Sequence, residues 1–372
     1  MIKCIVELKE LKSALKAVMN AISRKSYLPI LQSVLIETSG KSSLILSTTD
    51  LEISIRSQIT AEITQKGIAC IPAKRFFEIV KVLPKSVSQI ELEQINTLDF
   101  SISAAGVTYQ ISGMAADEFP KLPTVDRTKI EVIPADIFCD MVQKVGYAVS
   151  NDECRHPALN GVLWQTSDKK SIMVATDGHQ LVKAESKKIR FINPHTDVII
   201  PLQPLTILNK LVTKEITEIG VIFGDNNLTF VCGDTTISTR LIEETYPNYK
   251  KVIPKNNDQI VIVEKEPLLQ ALQQLRVSIV DDQNYRIALL ITESQFKLST
   301  KSASMELPCQ FEGQKIEVAF SINYLINIVE HIEGNKVKLV FAKKNPLGAL
   351  VVTSINKNDG HLCLIMPLRK AR

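Results

Sequence analysis

Asp177 and His179 flank Gly178 in the stretch ATDGHQL, placing a carboxylate and an imidazole two residues apart in a chain with only five histidines. Such a pair can serve a general base, and with further ligands it can hold a metal. Nucleophilic catalysis needs another group, and the GxSxG signature of an activated serine is absent. Histidines 156, 179, 195, 331 and 361 are never four apart, HExxH does not occur, and no two cysteines have CxxC spacing. No metal and no cofactor is expected. GKS at Gly40–Ser42 looks like the end of a phosphate-binding loop, but Leu35 stands where that loop needs its first glycine. The three residues read as a hairpin turn, and no GxGxxG exists.

Asp-Gly is also a favoured turn dipeptide, because glycine accepts positive φ. The earlier stretch STTDLEI keeps Thr49 and Asp50 but has Leu51 and Glu52 in place of Gly178 and His179. The Thr-Asp is therefore structural in origin, and a tight turn at Asp177–Gly178 is expected rather than a catalytic pair.

The elements around this turn are repeated. LPILQSVLIETSGKSSLILSTTDLEIS (Leu28–Ser54) lines up with HPALNGVLWQTSDKKSIMVATDGHQLV (His156–Val182): a proline, two apolar strands, a polar turn, then Thr-Asp. IPAKRFFEIVKVLP from Ile71 matches IPLQPLTILNKLV from Ile200, and FPKLPTV from Phe119 matches YPNYKKVIP from Tyr246. These landmarks are 128, 129 and 127 positions apart, nearly one spacing. The last third repeats more faintly, through YRIALLITESQFKLST from Tyr285, FSINYLINIVEHI from Phe320 and IMPLR from Ile365. The chain reads as three diverged copies, with domains expected at 1–127, 128–254 and 255–372.

Each copy opens with an amphipathic helix, runs through alternating strands, crosses a second helix after a proline and closes with more strands. In Leu8–Ile22 the residues Leu8, Leu11, Leu15, Val18, Met19 and Ile22 share one stripe, beside a lysine stripe of Lys9, Lys12 and Lys16. Pro72 and Pro201 suit the first turn of the second helices. Two helices and a run of antiparallel strands per copy define an α+β fold, with the helices on one face of the sheets.

Composition sets the outer limits. The 372 residues are 45% apolar and 23% charged, the balance of a globular protein, and aromatics are only 5% with a single Trp164. No apolar run reaches the length of a bilayer span, and the N-terminus MIKCIVELKE lacks a secretory pattern, so a cytoplasmic protein with no membrane partner is expected. Seven scattered cysteines read as reduced and mostly buried. A net charge of +4 cannot establish a polyanionic partner by its sum alone.

LPILQSVLI, STTDLEI, IPAKRFFEIVKVLP, RHPALNGVL, ATDGHQL, YPNYKKVIP and the terminal MPLR together resemble bacterial DNA polymerase III beta subunits, the sliding clamps, in order along the whole chain. The resemblance implies no enzyme but a processivity factor: three clamp domains per subunit, two subunits head to tail in a homodimeric ring, helices lining the hole. Double-stranded DNA is then held without base reading. The ring tethers the catalytic subunit of the replicative polymerase, is opened by a clamp-loader complex, and recruits other DNA polymerases and repair proteins. A cytoplasmic, nucleoid-associated location follows.

By the same resemblance a hydrophobic pocket for partner peptides comprises Leu159, Thr176, Gly178, His179, Leu181, Pro247, Lys251 and Val252, with Leu364, Ile365, Met366, Pro367, Leu368 and Arg369 from the chain end. Lys12, Arg24, Lys74 and Arg155 are the implied DNA contacts, and Tyr109 and Ile111 are expected to face Ile279 and Val280 across the dimer. Gln180 departs from the arginine of many relatives, and Lys370-Ala371-Arg372 extends past MPLR. Two rival readings are a hydrolase using Asp177 and His179, and a monomeric DNA-binding protein with an open groove.

Overall fold

The structure is a computed structural model that describes all residues except 24–27, 153–155, 192–196, 281, 283, 344–347, 357–359 and 369–372. Arg24, Arg155 and Arg369 therefore lie outside the described residues, as does Cys154.

The first copy contains β1 (Lys3–Glu7), α1 (Leu8–Val18), β2 (Ser33–Ser39), β3 (Ser43–Thr49), β4 (Ile53–Gln65), β5 (Ile68–Pro72), α2 (Ala73–Val82), β6 (Gln89–Gln94), β7 (Asp99–Ala104) and β8 (Val107–Ser112). The second contains β9 (Glu131–Pro134), α3 (Ala135–Gly146), β10 (Gly161–Thr166), β11 (Ser171–Thr176), β12 (Gln180–Ser186), β13 (Val198–Pro201), α4 (Leu202–Leu211), β14 (Glu218–Phe223), β15 (Asn227–Cys232) and β16 (Thr235–Arg240). The third contains β17 (Gln259–Glu264), α5 (Lys265–Val277), β18 (Arg286–Thr292), β19 (Gln295–Ser299), β20 (Ser304–Leu307), β21 (Gln310–Phe311), β22 (Ile316–Ser321), α6 (Ile322–His331), β23 (Lys336–Phe341), β24 (Leu350–Ser354) and β25 (His361–Ile365). Apart from the short β21, all three follow one order.

Leu8, Leu11, Leu15 and Val18 form the buried stripe of α1. The helix expected through Ile22 is α-helical only to Val18, because Asn20 Nδ2 donates to the carbonyls of Lys16 and Ala17 at 2.9 Å each and Met19–Ala21 tighten into a 3-10 turn. Pro72 and Pro201 end strands, and the second helices begin at the next residue. Gly40, at φ +66, makes the β2–β3 hairpin turn expected of GKS.

The described chain groups into two compact units that cut across the three copies: residues 1–136 with 203–241, and 137–202 with 242–372. The reason is strand pairing between copies. In the first unit the order is β8-β7-β6-β1-β4-β16-β15-β14-β9, with β5-β2-β3 joined on through β4. The long β4 pairs β16 with Ile53–Ser57 and β1 with its far end, so one strand belongs to both copies. In the second unit β13-β10-β11-β12-β25-β24-β23-β17-β21 is continuous, and β22-β18-β19-β20 stands apart. All of these pairs are antiparallel, apolar residues alternating inward.

Aliphatic side chains dominate both interiors, with Phe76 and Phe100 in the first unit and Trp164 packed edge-on against Phe138 and Phe191 in the second. None of the described cysteines is in a disulfide; all are buried except the half-buried Cys309, and burial pushes the Cys4 thiol up to about 12. No helix among the described residues is long and apolar enough to cross a membrane.

Candidate functional site

The carboxylate of Asp177 is committed to its own turn. Oδ1 accepts the backbone N–H groups of His179 (2.8 Å) and Gln180 (2.9 Å), and Oδ2 accepts from Gln180 Nε2 at 3.2 Å. The Thr176 hydroxyl accepts from Gly178 N at 3.1 Å. Gly178 has φ +89 and open space where a Cβ would stand, so backbone conformation rather than room calls for glycine. Asp50 makes the same turn, its Oδ1 accepting from Glu52 and Ile53 N–H, and in the third copy the Thr300 hydroxyl accepts from Ser302 and Ala303 N–H. One role filled by two Asp and a Thr is the role of a turn cap, not of a base.

His179 is exposed, and its carbonyl accepts from Met366 N at 2.8 Å, which holds the chain end against the turn. Its ring stacks on Tyr324 of α6 with centroids 6.4 Å apart. Burial, with the Asp177 carboxylate second, pushes the Tyr324 phenol up to about 12. Sequence reasoning missed Tyr324. Nothing local in FSINYLINIVEHI marks it, since it reaches the turn only through the placement of α6.

Beneath the turn lies an apolar cluster of Ala158, Leu163, Val174, Leu181, Ile199, Tyr249 and Leu364, flanked by Ile242, Tyr246 and Ile253. Leu181 and Leu364 face each other across the β12–β25 pair. Around this floor Val252 and Met366 are exposed by 54% and 47%, and Pro247 and Lys251 are also exposed. Leu368 N donates to Ala319 O at 2.7 Å, anchoring the half-buried Pro367 and Leu368. The expected residues thus divide by depth. Thr176, Leu181 and Leu364 are buried in the base; Gly178, His179, Pro247, Lys251, Val252 and Met366 are on the surface. Leu159 is buried, but its neighbour Ala158 supplies the cluster. Ile365 is fully buried, because strand alternation turns it away from the side of Leu364.

The expected interface residues lie on differing surfaces. β8 is the last strand of its sheet; it carries half-buried Tyr109 and Ile111, the latter only 5% exposed within its own unit. Ile279 and the exposed Val280 line a cavity of about 400 Å³ with Asp282, Arg286 and Lys301. Of the expected DNA contacts, Lys74 is exposed, whereas Lys12 donates its Nζ to Leu83 O at 3.2 Å.

Three family descriptions, the N-terminal, central and C-terminal domains of the DNA polymerase III beta subunit, match residues 2–123, 132–248 and 250–369. The chain belongs to the DNA polymerase III beta subunit family. That family is non-catalytic, a class of sliding clamps acting as processivity factors. The chain is 25% identical to a beta sliding clamp of Pseudomonas aeruginosa over 98% of its own length and 99% of the other's. With the Synechocystis beta sliding clamp it shares 27%, covering 99% of each. Among solved structures, the Bacillus subtilis DNA polymerase sliding clamp superposes with a TM-score of 0.93 at 24% identity, covering 100% of both chains. A Pseudomonas aeruginosa clamp solved with griselimycin bound gives 0.90 at 23%, covering 99% of each.

Proposed function

We propose that two copies of this beta subunit close head to tail into a ring around double-stranded DNA. The ring tethers the catalytic subunit of the replicative polymerase, and a clamp-loader complex, other DNA polymerases and repair proteins use the surface around Leu181, His179 and Met366. The subunit is taken as three copies, 1–127, 128–254 and 255–372, and as a cytoplasmic, nucleoid-associated protein.

One observation carries the reading: the repeat leaves two strands without the partner their counterparts have. β4 pairs β16, and β12 pairs β25. The third counterpart of β4 and β12 is β20, and the first counterpart of β16 and β25 is β8; both are sheet edges. Exposed edges favour pairing, so β20 of one subunit is assigned to β8 of the other.

The β4–β16 register, Ile53 opposite Thr239 and Ser57 opposite Thr235, transfers through the hairpins β3–β4, β19–β20, β7–β8 and β15–β16. It sets Val107 opposite Leu307, Tyr109 opposite Met305 and Ile111 opposite Ala303. Apolar residues then meet apolar ones, while Thr108 meets Glu306 and Gln110 meets Ser304 on the other face, as period-two alternation requires. Ile279 and Val280 are assigned to the flank of this contact, since Ser302 Oγ donates to Ser278 O at 3.0 Å and ties their segment to the turn before β20.

The test is a subunit carrying Tyr109→Cys and Met305→Cys, loaded on a nicked plasmid and oxidised. A covalent ring that stays on the circle through detergent and leaves when the plasmid is cut is expected. Cysteines at Tyr109 and Glu306, one residue out of register, should not join. A monomer at micromolar concentration, or equal retention on cut and intact circles, overturns the proposal. His179→Ala should weaken peptide binding only; loss of a hydrolytic turnover would favour the enzyme reading.

A further inference from the structure

The two joints between copies are built from equivalent positions with different side chains. In the first unit the joint is the β4–β16 pair, and in the second it is the β12–β25 pair. Beside each runs an open groove between the first helix of one copy and the residues just past the second helix of the next. One, of about 500 Å³, is lined by Ser13, Ala14 and Ala17 of α1 and by Thr213; the other, of about 630 Å³, is lined by Asp140, Met141 and Lys144 of α3 and by Glu333. Helices α1 and α3 begin at Leu8 and Ala135, and α4 and α6 at Leu202 and Ile322. Counted from those starts, Ser13 corresponds to Asp140, Ala17 to Lys144 and Thr213 to Glu333. Neither groove is filled, so the side chains that cross it decide how firmly the joint is held.

Lys144 crosses the second groove. Its Nζ lies 2.8 Å from Asp140 of its own copy and 2.6 Å from Glu333 of the third, and its side chain is only 9% exposed. Just beyond, the Tyr147 ring stacks on His331 with centroids 4.3 Å apart, and its hydroxyl lies 3.6 Å from Cys363 Sγ; both partners belong to the third copy. The counterparts in the first groove cannot do the same. Ser13, Ala17 and Thr213 carry no charge, and Asn20, which stands where Tyr147 does, directs its amide to the carbonyls of its own helix. The Glu52–Arg240 ion pair does cross the first joint, but at 3.6 Å and with both side chains more than half exposed it holds weakly.

A buried ammonium between two carboxylates adds little net stability over an apolar side chain of similar size, but it fixes where its partners stand. We infer that Lys144 is a positioning residue: with Asp140 and Glu333 it sets the angle between the second and third copies, and the subunit bends at the unclamped joint between the first and second. Under the ring reading, on which this use of the angle rests, strain in the closed ring is taken up at the β4–β16 joint.

Spin labels at equivalent exposed positions measure both joints in the full chain. Lys16→Cys with Lys210→Cys spans the first and Gln143→Cys with Glu330→Cys the second, each in a Cys154→Ser/Cys309→Ser background and diluted with unlabelled protein. In pulsed electron paramagnetic resonance the distance distribution should be narrow at the second joint and broader at the first. Lys144→Met should broaden the second to the width of the first with little change in urea midpoint, and Glu333→Gln, which leaves Asp140 on the lysine, should broaden it less. The transplant Ser13→Asp/Ala17→Lys/Thr213→Glu should narrow the first. Equal widths in wild type, or a folded Lys144→Met or transplant protein with unchanged width, overturns the assignment. Should Lys144→Met not fold, Glu333→Gln decides, and an unchanged width there overturns it too. The widths are read within one subunit, so equal widths in a ring that closes normally sink only this assignment, whereas failure of oxidative closure in otherwise wild-type protein sinks the ring reading and the strain argument with it.

Discussion

After β3 the chain presents Leu51 and Glu52; after β11 it presents Gly178 and His179. The backbones match closely. Asp50 and Asp177 cap the two turns alike, and Arg240 N donates to Glu52 O at 3.0 Å where Met366 N donates to His179 O at 2.8 Å. The side chains differ. Glu52 and Arg240 form an ion pair at 3.6 Å in the first unit, and Ser54 and Ser238 stand where the second unit has Leu181 and Leu364. One scaffold thus presents a polar surface in one place and an apolar floor beneath an exposed methionine in the other. The pairing geometry belongs to the repeat; the apolar floor proposed to take a peptide belongs to a few substitutions on it.

That contrast can be broken in order of expected effect. Leu181→Ala removes buried contacts in the cluster and should cost about 2–4 kcal/mol in urea unfolding, whereas Ser54→Ala should change little. Placing the first turn's pair on the second, His179→Glu with Met366→Arg, should lower affinity for a polymerase-derived peptide about 100-fold, or about 2.7 kcal/mol, in calorimetric titration, with ring closure intact. Gly178→Leu forces a branched residue into the left-handed region and should cost about 1–2 kcal/mol. Leu51, already there at φ +82, should give the opposite sign as Leu51→Gly, a gain of about 0.5 kcal/mol net of chain entropy in the same assay.

Smaller still, a double-mutant cycle on Glu52 and Arg240 should return less than about 1 kcal/mol and vanish in high salt, because both groups are largely exposed. The Tyr324 phenol adds a pH dependence only in the alkaline range. Its folded pKa, about 12, lies above the ordinary phenol value of 10.0, so its contribution is complete below pH 10 and is lost as pH rises through 12. Difference absorbance of wild type against Tyr324→Phe should show one phenol titrating late.

The repeat and both turns were legible in the sequence because prolines, glycines and Thr-Asp pairs are local signals. Helix starts after Pro72 and Pro201 were legible for the same reason. What escaped depends on distance. Tyr324 meets the turn from far along the chain, Lys12 is diverted to Leu83 by helix packing, and Ile365 faces inward through a register that no short stretch reveals. The two compact units escaped because β4 and β12 pair beyond their own copies. In the proposed register the dimer contact centres on the edge at Met305, with Ile279 and Val280 at its flank.

A pair of complementary edges, as proposed for β8 and β20, carries no instruction about when to stop. In the proposed pairing they would join a third subunit as readily as a second. Only the angle turned from one copy to the next determines whether the series meets its own beginning or winds on as an open filament. The inter-copy angle, more than the strength of any single contact, is therefore what a mutation must preserve to avoid fibres.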